Sequence, residues 1–308
     1  MMDDYELAII GAGAAGCTAG IYAGRSGIDA VIFDRGMGGG LILTAPRIEN
    51  YPGFMEITGA ELSSRFLEHA RRYADLKLGE EVTDIRRDGK GFILKTTKGE
   101  YGVKAVILST GSKPKKLGVE GEEALHGKGV SYCATCDGFF FKGKRVAVIG
   151  GGSKALLDAI YLKQIGCKEV YLIHRRDVLR GERILQEEAR DKGVRFLLNR
   201  IVKRLEGEDK LERIILKDRA SGREEVIDLD GVFIAVGEEP ENRLAKILGV
   251  ELDENGYIKV DEGQRTNIRG VYAAGDVTGG VRQIITACAE GAVAALSSTE
   301  ILGKKYPY

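Results

Sequence analysis

Twice in this chain a short apolar run breaks into glycines and then resumes as small residues at helical spacing. The first instance is Glu6-Leu7-Ala8-Ile9-Ile10, then Gly11-x-Gly13-x-x-Gly16, then a helix to about Gly27 and a second strand, Ala30 to Phe33, ending at Asp34. The second is Arg145 to Ile149, then Gly150-x-Gly152-x-x-Ala155, a helix to about Ile165, and a strand Glu169 to Ile173 that ends in His174-Arg175-Arg176, with Arg180 beyond. Strand, glycine loop, helix and strand in that order specify a right-handed crossover between parallel strands. A duplicated start of this kind predicts an α/β chain of two doubly wound, Rossmann-like units rather than a short-period repeat.

The glycines matter because a backbone without Cβ can approach a pyrophosphate. The following helix start offers free N–H groups and the positive end of its dipole. In the first loop Gly11, Gly13, Ala14, Ala15 and Gly16 fill this role. Asp34, about 20 residues on, is placed to accept from ribose hydroxyls. In the second loop, Gly150, Gly152, Ser153 and Ala155, the corresponding strand end carries cations instead. Guanidinium groups suit a 2′-phosphate, so the first loop reads as an FAD site and the second as an NADPH site through His174, Arg175, Arg176 and Arg180. The bland readings are a structural glycine turn and a solvated basic helix start.

Between the two loops lies Cys133-Ala134-Thr135-Cys136-Asp137. A vicinal dithiol can pass out, as thiol–disulfide exchange, electrons that two nucleotides supply and relay. Zinc is the rival for such a pair, but a closed site needs four ligands. Cys17, Cys167, Cys288, His69, His126 and His174 show no such spacing, so no metal is expected. The three other cysteines read as small buried hydrophobes. Asp137 beside the pair suits proton traffic to a leaving thiolate; its bland alternative is a helix-cap aspartate.

Composition sets limits. The chain's 308 residues suit about two domains. With 46 basic against 46 acidic residues, nothing points to nucleic acid or an anionic membrane. No stretch reads as a membrane span and the acidic start is not that of a signal peptide, so the expected location is the cytoplasm. Elsewhere the pattern predicts a helix over 61–74, strands over 81–97 and 101–109, a helix over 182–192, strands with turns over 195–235, a strand over 270–274, and a helix over 283–302. Gly111 to Lys116 and Ala235 to Gly237 are hinge candidates.

With these residues in view, the chain resembles the low-molecular-weight, flavin-dependent thioredoxin reductases over nearly its whole length. The carrying segments are Gly11 to Gly16, Glu49-Asn50-Tyr51-Pro52-Gly53, Thr110-Gly111, Cys133 to Gly138, Val146 to Gly152, His174-Arg175-Arg176, and Gly275-Asp276-Val277 followed by Arg282-Gln283. The resemblance implies a homodimer passing electrons from NADPH to FAD, to the cysteine pair, and on to thioredoxin or a related small dithiol protein. It places Asn50, Asp276, Arg282 and Gln283 along the flavin, Cys136 facing it, and Cys133 exchanging with the partner. The implied division is an FAD-binding domain of residues 1–112 and 238–308, with an NADPH-binding domain of residues 113–237 inserted and carrying the dithiol.

Departures from the family pattern fall at Leu41, Ser153, Lys154 and Leu157. The last three sit at the donor loop. One alternative therefore keeps the dithiol but takes electrons from a reduced deazaflavin or ferredoxin. A second, from another class, is a non-catalytic flavin-binding redox sensor.

Overall fold

The computed structural model describes residues 3–45, 47–89 and 91–305. The chain begins with β1 (Asp3–Ile10), the glycine loop, α1 (Ala14–Arg25) and β2 (Ala30–Asp34), which runs parallel to β1. A 3-10 turn at Gly40–Thr44 and α2 (Gly59–Ala70) lead to β3 (Asp75–Leu78), parallel to β2. Next come β4 (Val82–Asp88), β5 (Gly91–Thr96) and β6 (Glu100–Leu108), antiparallel in succession, with β6 lying parallel beside β1.

The chain continues through β7 (Ser112–Pro114), β8 (Val130–Ser131), the one-turn α3 (Ala134–Asp137), β9 (Arg145–Gly150), α4 (Ser153–Gln164), β10 (Glu169–Ile173), α5 (Arg183–Asp191) and β11 (Arg195–Leu197). An antiparallel ladder follows, β12 (Arg200–Glu206), β13 (Arg213–Asp218) and β14 (Glu224–Asp228). After β15 (Gly231–Ala235) come β16 (Glu238–Pro240), α6 (Arg243–Leu248), β17 (Val271–Ala273) and α7 (Ile284–Leu302).

Two compact units result: Met1–Leu43, Ile48–Lys113 and Glu239–Tyr308 in one, Thr44–Arg47 and Pro114–Glu238 in the other. Each is built on a doubly wound sheet. In the first the order is β3-β2-β1-β6-β5-β4 with β17 also on β6; in the second it is β11-β10-β9-β15-β8. Strand order reverses beside β1 and beside β9. The crevice at the carboxyl ends of these strands is where such sheets bind ligands.

Alternation along the strands decides the layers of the second unit. Val146, Val148, Val170, Leu172 and Phe233 face α4 and α5, while Ala147, Ile149, Ile173, Val232 and Ile234 face the β12–β14 ladder. In the first unit Ala8, Ile10, Val31, Phe33, Val106 and Leu108 share one core, and α1 covers the opposite face. The helix comes close: a Cβ on Gly20 would lie 2.5 Å from Ile32 Cδ1.

Two local readings change. The helix expected over 61–74 spans Gly59–Ala70, begun by Thr58 accepting from Glu61 N–H, and the strand β3 takes residues that no pattern had marked. Asp75-Leu76-Lys77-Leu78 is too short to show a period, and only parallel pairing with β2 makes it a strand. At the hinge candidates β7 and β16 pair with each other, and Lys115 N–H donates to Gly237 O at 2.9 Å.

The expectation that no segment is long and apolar enough for a membrane span is also corrected. α7 meets that criterion, with 19 residues and mean hydropathy 1.3. It escaped notice because its apolarity comes from Ala, Cys, Val and Ile interleaved with Gly, Ser and Thr rather than from an unbroken aliphatic run. It packs on α1, where a Cβ on Gly291 would lie 2.1 Å from Ala15 O. Gly291→Ala must push these helices apart and is expected to cost about 1–3 kcal/mol as an overpacking substitution. A denaturant midpoint equal to the unmodified protein's would show that the contact can relax freely.

Candidate active site

Each glycine loop is shaped by the strand beside it. Gly11, at φ +109°, sits where a Cβ would be 2.2 Å from Ser109 O at the end of β6. A Cβ on Gly16 would be 1.8 Å from Gly11 O. Gly13 differs: nothing lies within 4 Å of its Cβ position, so its backbone borders open space. Gly13 is the N-cap of α1, with no side-chain cap and no acid in the first turn. The first-turn amides, Ala14 and Ala15 among them, therefore keep the positive helix end for an anion.

Asp34 holds this loop in shape, its carboxylate accepting from Ala12 N–H and Gly36 N–H, both at 2.8 Å. Two lone-pair directions remain for hydroxyl donors. The structure brings Gly275, at φ +83°, against α1, its Cβ position 2.9 Å from Ala15 Cβ. Asn50 Nδ2 donates to Gln283 Oε1 at 3.0 Å, and Gln283 caps α7 in a reciprocal box with Thr286. Burial pushes the Asp276 carboxyl up, opposed by the Arg282 guanidinium, which also donates to Tyr257 Oη at 3.0 Å. Thr110 Oγ1 donates to Glu241 O at 2.6 Å, and Gly111 O accepts from Glu241 N–H at 2.9 Å. Leu41 lies in the 3-10 turn Gly40–Thr44.

The second loop repeats the first. A Cβ on Gly150 would be 2.4 Å from Ala235 O at the end of β15 and 2.7 Å from Ala155 Cβ. Gly152 is the uncapped N-cap of α4, with nothing within 4 Å of its Cβ position. Arg180 N–H and Gly181 N–H donate to Gly151 O at 2.7 and 3.0 Å, folding the 174–181 loop over the glycines. Ser153 Oγ accepts from Glu182 N–H at 3.2 Å.

Arg175, Arg176 and Arg180 are exposed, and none forms an ion pair among the described residues. His174 does not join them at the surface; it is buried, with its ring under Gly151. Lys154 turns along α4 to Asp158 at 3.0 Å, whose carboxyl is pushed up by burial despite the lysine.

The dithiol belongs to this second unit. Cys133 and Cys136 form a disulfide with Cα atoms 5.3 Å apart. Cys133 is the N-cap of α3, and its Sγ accepts from Cys136 N–H at 3.2 Å. Opening the bond would leave a Cys133 thiolate at a helix start, where it is stabilised. Ser131 Oγ accepts from Cys133 N–H at 3.0 Å and donates to Asp137 Oδ2 at 2.6 Å, so one hydroxyl joins the disulfide turn to the acid. Asp137 makes no side-chain cap bond to the 3-10 turn that follows. Cys136 is exposed and Cys133 half-buried.

Sequence reasoning missed Ser131 and the pair Phe139 and Phe140, which stand 70% and 71% exposed directly after the disulfide turn. The signal was the run Gly138-Phe139-Phe140-Phe141. In a 3-10 turn only one of three successive rings can point inward, and Phe141 does, 5.4 Å from Phe233.

The model of the pyridine nucleotide-disulphide oxidoreductase family matches residues 5–291. A thioredoxin reductase of Bacillus subtilis is 41% identical over 297 residues, 95% of this chain and 93% of that protein. Among solved structures, a thioredoxin reductase of T. acidophilum is 44% identical with TM-score 0.92, covering 96% of this chain and 98% of the other. That of Lactococcus lactis is 36% identical, also with TM-score 0.92, covering 97% and 99%.

The remaining thiols are built to be inert. Burial pushes Cys17 up to about 12 and Cys167 to about 11, and raises Cys288 as well. Since the neutral thiol persists below its pKa, brief alkylation of the reduced native protein at about pH 8 should label Cys133 and Cys136 alone. Peptide mass spectrometry reads this out, and comparable labelling of Cys17 or Cys288 would show that α1 and α7 open readily.

Proposed function

Because this chain belongs to the pyridine nucleotide-disulphide oxidoreductase family, we propose that it is an FAD-containing reductase that draws on NADPH and reduces the disulfide of thioredoxin or a similar small protein. The observation that carries the reading is the Cys133–Cys136 disulfide, with its exposed Cys136 side and the bare rings of Phe139 and Phe140 beside it. An exposed aromatic pair next to a sulfur is the chemistry of protein docking rather than of a small thiol.

Two cradles support the cofactors. The Gly13 loop with Asp34 and the Gly275 turn would hold FAD; the Gly152 loop with Arg175, Arg176 and Arg180 would hold NADPH. When bound, the two supply the electron pair that opens the disulfide. The chain's own residues do the rest. The Cys133 thiolate, held at the start of α3, attacks one sulfur of the partner's disulfide, forming a mixed disulfide and releasing the partner's second sulfur as a thiolate. The Cys136 thiolate then attacks Cys133 Sγ. This restores the Cys133–Cys136 bond and frees the reduced partner. Asp137, kept in place by Ser131, gives a proton to a departing thiolate. The reading extends to a homodimer, as the family resemblance implies, and to the cytoplasm, where a dithiol pool is kept reduced.

Cys136→Ser, lacking the resolving thiol, should accumulate a mixed disulfide with thioredoxin through Cys133, whereas Cys133→Ser should not. Non-reducing electrophoresis separates the two, and the opposite pattern would make Cys136 the attacking sulfur.

The donor is tested by anaerobic titration of the purified yellow protein with NADPH, NADH and a reduced deazaflavin. NADPH should bleach the flavin, and Arg176→Ala should weaken its binding by about 10- to 100-fold while sparing NADH, the worth of one bond to a charged group. Bleaching by the deazaflavin alone would move the reading to the other donor, to which Lys154 and Leu157 in the first turns of α4 lend support.

A further inference from the structure

One side chain in the dithiol turn touches both the attacking cysteine and the acid. Ser131 closes β8, a two-residue strand held to the sheet by parallel pairing with β15, with Ser131 opposite Phe233. The residue is 4% exposed, and its Oγ has three neighbours. Cys133 N–H donates to it at 3.0 Å, Asp137 Oδ2 lies 2.6 Å away, and Cys133 O lies 3.3 Å away.

Two of those neighbours compete. A hydroxyl carries one proton and two lone pairs, and both Asp137 Oδ2 and Cys133 O are acceptors for that proton. While Asp137 is ionised the shorter contact holds it, since 2.6 Å is the length of a hydroxyl bonded to a charged oxygen. Among the described residues Ser131 is the sole hydrogen-bond donor to that carboxylate. Cys133 O is meanwhile satisfied by Asp137 N–H at 3.2 Å.

With Asp137 protonated, the same contacts stand with one reversed. The acid's O–H donates to the second lone pair of Oγ, and the serine proton swings to Cys133 O, which has a lone pair to spare. Cys133 N–H keeps its acceptor throughout. Neither arrangement strands a polar atom of this trio.

We propose that Ser131 is a positioning residue for the proton transfer: its hydroxyl turns between Asp137 Oδ2 and Cys133 O as the acid loses and regains its proton, keeping Asp137 in one place through the cycle. This rests on the reading of Asp137 as the proton donor. In the transfer the O–H bond of Asp137 breaks and an S–H bond forms on the partner's departing thiolate. The carboxylate left behind then accepts a hydrogen bond from the serine. Nothing is oxidised or reduced in this step, and solvent water at the half-buried carboxyl restores the acid's proton. Alanine at this position removes the oxygen that holds the acid in both of its states, and Asp137 is free to turn away from the sulfurs.

A double-substitution cycle separates this role from simple support of the turn. FAD-loaded protein is reduced at the dithiol with dithiothreitol, desalted anaerobically, and mixed with oxidised thioredoxin for a single turnover. Alkylation quenches the reaction, and mass spectrometry counts the thioredoxin thiols over a range of thioredoxin concentrations. Rates are read well below each variant's unfolding midpoint, so folded proteins are compared. Ser131→Ala should lower the saturating rate about 10-fold or more, the worth of a hydrogen bond to a charged group, and leave the half-saturating thioredoxin concentration unchanged. In an Asp137→Asn background the same substitution should cost less than about threefold, because the group it acts through is gone. An equal loss in both backgrounds would show that Ser131 supports the turn without regard to the acid, and it overturns the proposal, as does no loss in either. If Asp137→Asn by itself turns over at the unmodified rate, the proton-donor reading falls and the proposal with it.

Discussion

In both units the first glycine of the fingerprint is pressed against the carbonyl ending the neighbouring parallel strand. Gly11 meets Ser109 O and Gly150 meets Ala235 O, at 2.2 and 2.4 Å from their Cβ positions. No side chain fits there. Because the chain can turn that tightly, α1 and α4 begin directly over the strand ends and aim uncapped first turns at the crevice. Asp34 stands beside the first of these helix starts, and the arginine loop folds over the second.

The disulfide turn uses the same device on a smaller scale. Cys133 caps α3, and the amide of Cys136 points at its sulfur. α3 in turn stands on α4, where a Cβ on Gly138 would lie 3.0 Å from Leu162 Cδ2. The helix that starts at the dinucleotide loop thus also floors the redox turn, so dithiol and nucleotide loop share one rigid element.

Buried polarity in the second unit is uneven. Glu122, buried, accepts from Leu117, Gly118 and Val119 N–H and from Tyr132 Oη, a fully satisfied carboxylate that ties the start of this unit to the residue beside Cys133. Asp158 and His174, by contrast, each keep a buried polar atom without a partner among the described residues. Satisfied groups hold a fold; unsatisfied ones near a binding loop are free to respond to what binds.

Much of this was legible beforehand. The duplicated glycine loops, the small-residue helices, Asp34 against His174-Arg175-Arg176 and the cysteine pair are all local signals. They follow from backbone sterics and from charge type, which a sequence states directly. Strand β3 was not legible, because a four-residue alternation acquires its conformation only from β2 beside it. Nor was the burial of His174, whose neighbours in sequence are exposed arginines but whose neighbour in space is Gly151. The exposure of Cys136 over Cys133, the bridging of Asp137 by Ser131, and the turning inward of Phe141 rather than Phe139 or Phe140 were likewise decided by tertiary structure. Each depends on which side of a short turn faces a core assembled from distant strands, and that is fixed by packing rather than by the residues of the turn themselves.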